Sequence, residues 1–364
     1  MPTRKLVTRY EDDLRRFPDM WHKVGLTLAI VSLAIYPFMA GAYGLTIANL
    51  AMVAVVGSTG LMVLTGFTGQ ISLGHAAFLA LGAYTAAVGA THFALPFWIL
   101  LPIAGLVAAA VGLAVGPFAL RLKGLYLAIV TLGLLFLVNH TILSFPEWTK
   151  GVGGISVPVY TWFGQEAAKY ALPEFSNTIN LGPLELTFER KLYFIFLGVA
   201  TLAVLAASNL QRSNIGRAMA AVRDHDLAAA VLGVNPATTK IIAFGVSSFI
   251  AGVAGAMFAF QQQYITVDPP FNLIMSVQYI AMCVLGGVGT VFGAVAGGIA
   301  FTVLSPAAQA IGSYIPLVNT LSSAQQSTLL FSLVVMGFLL FEPLGLFGIW
   351  LRVKRYFLAW PFRY

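Results

Sequence analysis

Apolar residues in this chain come in long uninterrupted runs rather than in the short alternations of a water-soluble fold. Runs at 24–43, 45–64, 76–95, 97–120, 125–143, 192–208, 241–260 and 329–349 each have the length of one membrane crossing, and a longer apolar segment covers 274–304. A helix crossing the hydrocarbon core uses about 20 apolar residues. The long segment is interrupted at Gly286-Gly287-Val288-Gly289, where glycine permits a sharp departure of the backbone. It forms either one full span with a re-entrant piece or two spans, and two bring the total to ten. The pattern predicts an all-α fold, a polytopic integral membrane helical bundle of about ten transmembrane spans with broken or re-entrant glycine-rich segments. Its expected divisions are an N-terminal arm (1–23), a transmembrane domain (24–351) and a tail (352–364). The domain contains an extracytoplasmic loop at 146–190 and a cytoplasmic loop at 211–240.

Composition agrees. Of the 364 residues 59% are hydrophobic and 9% charged, against about 25% charged in ordinary soluble domains. That excludes a soluble enzyme, a DNA-binding module and a disordered scaffold, so no nucleic-acid partner is expected. Thirty-six glycines and 17 prolines suit closely packed, partly interrupted membrane helices. The single cysteine, Cys283, has no intrachain partner for a disulfide.

Charge placement predicts orientation. Basic residues form four clusters: Arg4, Lys5, Arg9, Arg15, Arg16 and Lys23; Arg121 and Lys123; the loop from Arg212 to Lys240; and Arg352, Lys354, Arg355 and Arg363. Lys and Arg in short loops stay cytoplasmic, so both termini are expected there. Residues 144–191 carry Glu147, Glu166, Glu174, Glu185 and Glu189 and are expected outside. The N-terminus does not read as a cleaved signal peptide, because it contains Glu11, Asp12, Asp13 and Asp19 and leads into a full span. Leu14, Phe17, Trp21 and Val24 recur at helical spacing, as in an amphipathic segment on the interface or a solvated arm with a few apolar residues.

The missing charges bear on the energy source. Ion-coupled carriers commonly place acids or bases inside the membrane. Here no Asp, Glu, Lys or Arg occurs between Lys23 and Arg121, and of these only Asp268 and Glu342 occur between Lys240 and Arg352. Both adjoin proline, which reads as an external turn for Asp268 and as a helix end near the inner face for Glu342. A phosphate-cradling P-loop needs Gly-x-x-x-x-Gly-Lys-Ser/Thr, and no lysine here follows a glycine. No cofactor is expected in this chain, and any ATP is bound by partner subunits. His22, His92 and His225 lack metal-ligand spacing, so no metal site is expected either.

A separate motor needs a docking surface, and 212–240 is the one substantial cytoplasmic loop. In RSNIGRAMAAVRDHDLAAAVLGVNPATTK, Asp224 or Asp226 is placed to cap a short helix at 227–232 that Gly233 ends. Asn235-Pro236 then restarts a helix. Arg217, Arg223 and Lys240 flank the short helix. The loop is either a rigid docking element or an ordinary interspan loop whose bases satisfy the orientation rule.

Two glycine-rich segments carry the polar candidates. Residues 66–74, GFTGQISLG, hold Thr68, Gln70 and Ser72 and precede His75. Non-helical backbone at membrane depth is tolerated only where it is buried in protein or lines a wet cavity. Gln70, Ser72 and His75 therefore either flank a translocation path or form a capping turn, with Ser72 as cap and His75 satisfied locally. Gly286, Gly287 and Gly289 either line that path or serve packing, since Gly289, Gly293 and Gly297 form a small-xxx-small stripe. Ser247, Ser248, Gln278 and Tyr279 are expected to bond neighbouring helices, and Asn139-His140 to mark the outer interface.

Four blocks in order carry a resemblance: LTGFTGQISLGHAAFLALGAY (64–84), RLKGLYLAIVTLG (121–133), GRAMAAVRDHDLAAAVLGVN (216–235) and VLGGVGTVFGAVAGG (284–298). Together they resemble the branched-chain amino acid ABC transporter permeases, of the LivM-type subunit, over roughly residues 45–342. The acid–Ala–x–x–x–Gly spacing of Asp226, Ala229 and Gly233 looks like the coupling loop of ABC importer permeases, although Leu227 follows the acid where that pattern has alanine. The resemblance implies a non-enzymatic transport subunit of the bacterial inner membrane. Its implied partners are a LivH-type sister permease, two ATPase subunits and a periplasmic or extracytoplasmic solute-binding protein that sets selectivity. Arg217, Asp224, Asp226, Ala229 and Gly233 would couple to the ATPase. The implied cargo is Leu, Ile or Val, with urea, short amides or aromatic acids as alternatives within the class, and a stand-alone secondary transporter as the rival outside it. A multi-spanning enzyme would need His and carboxylates clustered at one face, a cluster this sequence lacks.

Overall fold

The computed structural model describes residues 20–122, 124–158, 179–181, 184–312, 322–342 and 344–358. The elements in order are α1 (Met20–Met39), α2 (Ala42–Leu61), α3 (His75–Phe93), α4 (Phe97–Arg121), α5 (Leu125–Ser144) and the one-turn α6 (Pro146–Thr149). They continue with α7 (Phe188–Arg212), α8 (Asn214–Asp224), α9 (Asp226–Val231), α10 (Pro236–Gln262), α11 (Leu273–Gly286), α12 (Val291–Gly312), α13 (Ser323–Phe341) and α14 (Gly345–Leu358). In lipid no water satisfies backbone groups, so apolar runs of this length close their hydrogen bonds internally as helices. The short strands β1 (Ile155–Ser156), β2 (Ile179–Leu181), β3 (Leu184–Leu186) and β4 (Tyr264–Ile265) are the departures from the all-α pattern, with β1 pairing β4 and β2 pairing β3, both antiparallel.

Helix α10 sits at the centre and packs on α4, α3 and α2. Small residues make this possible. A Cβ on Gly82 would fall on Gly252 O, and one on Gly255 would fall on Leu79 O, so the backbones of α3 and α10 touch. Gly252 also approaches Ala104 O of α4, where a Cβ would stand at 2.6 Å. On its other side α2 meets α12, with Ser58 Oγ donating to Ala294 O at 2.9 Å. Close backbone approach through small residues substitutes for the hydrophobic drive that lipid removes.

Among the described residues six helices are long and apolar enough to cross a membrane, or seven if α11 and the first part of α12 are one bent span. The expected count of ten is not reached on that measure. Helix α11 has 14 residues, about 21 Å at 1.5 Å per residue, short of a hydrocarbon core of about 30 Å. The α11–α12 pair bends through 119° at the Gly286–Gly289 break. The apolar run 329–349 is not one helix, because α13 ends at Phe341 and Glu342 caps it; Pro343 disfavours helical backbone at the residue before it. Leu14 and Phe17 of the N-terminal arm, Lys123, residues 159–178 of the 146–190 loop and residues 359–364 of the tail lie outside the described residues.

The α3–α10 contact makes a direct prediction. Gly255→Leu should abolish recovery of monodisperse protein in detergent, whereas Gly133→Leu, where a side chain meets nothing within 4 Å, should leave the yield near the parent's. Equal yields from the two variants would contradict the packing described here.

Candidate functional site

Local rules build the 212–240 loop. Ser213 starts α8 by accepting from Gly216 N at 3.1 Å. The chain then kinks at His225, whose Nδ1 accepts from Ala228 N at 3.4 Å and caps α9. The cap is therefore His225, neither Asp224 nor Asp226. Asp226 is already the first helical residue and its carboxylate pairs with Lys240 Nζ at 3.6 Å, while Asp224 pairs with Arg223 Nε at 3.1 Å. Gly233 ends α9 at φ +87. Its N–H donates to Ala230 O at 3.1 Å and that of Val234 to Ala229 O at 3.0 Å, the paired bonds of a Schellman motif. Asn235 Oδ1 accepts from Ala237 N and Thr238 N at 3.0 and 3.3 Å, with Pro236 at the first position of α10. The resulting short helix buries Ala229 and turns Leu227, Val231 and Leu232 outward, 67%, 87% and 83% exposed. Arg217 stays at the surface, donating to Asn214 Oδ1.

The first break follows α2. A π-helical turn, Met62–Phe67, ends it, and residues 69–74 are not helical. Such turns leave carbonyls unsatisfied, and π-bulges recur at functional sites. Thr68 Oγ1 donates to Leu64 O at 2.6 Å, Thr65 Oγ1 to Gln70 O at 3.1 Å, and Arg223 Nη1 to Gly66 O at 3.0 Å across 157 residues. Gln70 is buried and its Nε2 donates to Thr68 Oγ1 at 2.9 Å, leaving Oε1 without a partner. An orphaned buried acceptor costs about 1–3 kcal/mol.

Ser72 does not cap α3. It lies two residues before Gly74, the cap residue, and its Oγ accepts from Gly74 N at 3.3 Å. His75 is satisfied across helices rather than locally: Nε2 donates to Gly57 O of α2 at 3.0 Å, and its ring meets Tyr279 of α11 edge-on at 5.0 Å.

The second break joins α11 to α12. Gly287 at φ +117 and Gly289 at φ +88 reverse the backbone, while Gly286 abuts Gly293 so closely that a Cβ would fall on Gly293 O. Gly286 thus serves packing. Gly289 O accepts from Gln211 Nε2 at 3.1 Å, Gly289 N donates to Met62 Sδ at 3.2 Å, and a Cβ on Gly289 would stand 3.1 Å from Arg223 Nη1. Arg223 therefore bonds the first break and lies beside the second from the end of α8. Sequence reasoning noted Arg223 only as a flanking base and missed Gln211 and Met62; the adjacency of Arg223 to the capped loop was the one available signal.

A cavity of about 300 Å³ lies between these parts, with Gln70, Arg223, Asp224, Asp226 and Lys240 in its wall. A second, of about 530 Å³, is walled by Thr46, Asn272, Gln278, Tyr279 and Thr302 of α2, α11 and α12. Other polar residues depart from expectation. Ser248 Oγ bonds its own helix at Phe244 O, 2.6 Å, and Asn139 Nδ2 reaches Phe271 O at 2.8 Å inside the bundle. Glu189, expected in the outer loop, turns inward as well, its carboxylate accepting from Asn49 Nδ2 at 3.2 Å and Gln261 Nε2 at 3.4 Å. Glu342 ends α13 as expected and pairs with Arg352 at 2.6 Å. Among the described residues no three of His, Cys, Asp or Glu are grouped to hold a metal ion.

The family described as branched-chain amino acid transport system / permease component matches residues 43–341. The chain belongs to this family. It is 38% identical over 275 residues to the high-affinity branched-chain amino acid transport system permease protein LivM of Escherichia coli (strain K12), covering 74% of this chain and 64% of that protein. It is 24% identical to the corresponding BraD permease protein of Pseudomonas aeruginosa over 312 residues, covering 80% of this chain and 92% of that one. The autoinducer 2 import system permease protein LsrC of an Enterobacter species is 32% identical over 54% of this chain and 53% of its own length. The chain thus spans less than two thirds of the length of LivM. No solved structure matches. In this permease component the family span contains both breaks, α8 and α9, and stops before α14.

Arg223→Met should speed amide exchange at residues 66–70 by about tenfold, the equivalent of one charge-assisted hydrogen bond, with β4 unaffected, as read by hydrogen-exchange mass spectrometry. Unchanged exchange there would mean that Arg223 does not hold the first break.

Proposed function

We propose that this chain is the LivM-type permease subunit of an ABC importer that carries leucine, isoleucine or valine across the bacterial inner membrane. The observation that supports it most is the short helix α9, with apolar side chains turned outward, next to Arg223, which bonds the first helix break and lies beside the second. In this reading an ATPase subunit seats on Leu227, Val231 and Leu232. Its closure moves α8 and α9 as a unit, with Asp224, Asp226, Ala229 and Gly233 holding their shape, and Arg223 passes the motion to residues 66–75 and 286–289. Gln70, Ser72 and His75 then stand beside the path that those breaks open and close.

In the same reading, which rests on the resemblance of the sequence blocks, a LivH-type sister permease supplies the other half of the path, two ATPases bind the ATP, and an extracytoplasmic binding protein delivers the amino acid. The basic clusters put both termini and α8–α9 in the cytoplasm. A path poor in charge suits weak, transient contacts with a zwitterion.

Reconstituted with its partners, the importer should hydrolyse ATP in step with leucine uptake. Asp226→Lys breaks the Lys240 pair, and Gly233→Leu puts a side chain at a left-handed position that costs about 1–2 kcal/mol. Both variants should assemble yet lose most of the uptake per ATP. Normal coupling in both, or uptake driven by a proton or sodium gradient without ATPase subunits, would overturn the reading. Gln70→Leu should change uptake kinetics with assembly intact; unchanged kinetics would remove Gln70 from the path.

A further inference from the structure

Helix α14 lies beyond the family span, and nothing above gives it a task. It is bound to the second break more tightly than a passive tail requires. Gly345, at φ +61, backs directly onto Leu285 O, and a Cβ there would also stand 2.8 Å from Val284 O and 2.9 Å from Gly287 N. A Cβ on Gly287 would in turn stand 2.7 Å from Leu344 O and 2.8 Å from Phe347 Cβ. Phe292, at the start of α12, stacks on Trp350 at 5.8 Å and meets Phe347 at 6.1 Å. Arg352 is tethered to Glu342 at 2.6 Å.

Beyond these contacts much of α14 is exposed, Trp350 included despite its stack on Phe292. Ile349, Trp350, Val353 and Tyr356 are exposed and fall within an arc of about 120° at 3.6 residues per turn. Arg352, Lys354 and Arg355 are exposed around that arc, and the helix contains no acid. An apolar stripe bordered by bases, carried on a short helix that follows an apolar one, is the pattern of a helix lying in the headgroup layer.

We propose that α14 binds the anionic phospholipid surface and that this engagement stiffens the α11–α12 break. The stripe inserts beside α13, Lys354 and Arg355 take the headgroup phosphates, and Gly345 and Phe347 hold Gly287 in its reversed conformation. The choice of an anionic lipid rests on charge complementarity. Permease motion at the second break then depends on membrane charge, and the transport consequence rests on the function proposed above.

The full chain in nanodiscs of pure phosphatidylcholine, and of phosphatidylcholine with phosphatidylglycerol at a 7:3 ratio, tests this by hydrogen exchange. Exchange in residues 284–291 should slow by about fivefold or more in the anionic discs, since one base near such a surface contributes about that factor, and high salt should erase the difference. Lys354→Gln with Arg355→Gln should lose the response, and Arg355→Lys should keep it. Equal exchange in the two lipids, or an undiminished response in the double neutral variant, would overturn the proposal. Absence of ATP-driven uptake in every lipid would strike the proposed function instead, since the exchange readout needs no transport.

Discussion

A bilayer offers no water to a broken helix, so each backbone group freed by a break must find its partner inside the protein. The two breaks here meet that demand with side chains from one place. Gly66 O takes Arg223, Gly289 O takes Gln211, and Gly289 N takes the sulfur of Met62. Because Gln211 and Arg223 lie at the end of α7 and on α8, the segment outside the bundle is tied to both breaks. The first break cannot move freely of α8, nor the second of the end of α7, without leaving a carbonyl unpaired, a cost of about 1–3 kcal/mol each.

The centre of the bundle is built differently. Where α3, α4 and α10 cross, glycine lets backbone meet backbone and leaves no room for side chains. Interfaces packed this tightly shift as units, because interiors at crystal-like density transmit displacement instead of absorbing it. The molecule thus combines a stiff centre with two interruptions gathered around one guanidinium, and α14 backs the second of them.

Legibility followed locality. The long apolar runs, the glycines at both breaks, Gly233 and Asn235-Pro236 act through their own backbone or the next few residues, so they could be read in order along the chain. His225 escaped because an imidazole is not among the usual cap side chains, and the backbone turns helical only after it. Arg223 escaped because its acceptor lies 157 residues off, and Glu189 because its amide partners come from α2 and α10. The count of ten spans is not confirmed among the described residues; the run 329–349 is apolar but for Ser332 and Glu342, and Glu342-Pro343 separates it into α13 and α14.

The proposed coupling requires the α7–α8 segment, through Gln211, to move with the second break. Spin labels on exposed Ile215 of α8, exposed Val288 in the break and exposed Val152 past the far end of α5 test it by pulsed-EPR distances in the reconstituted importer, nucleotide-free and with ATP trapped. The Ile215–Val288 distance should stay constant while both distances to Val152 change. A changed Ile215–Val288 distance with Val288–Val152 fixed would contradict the account.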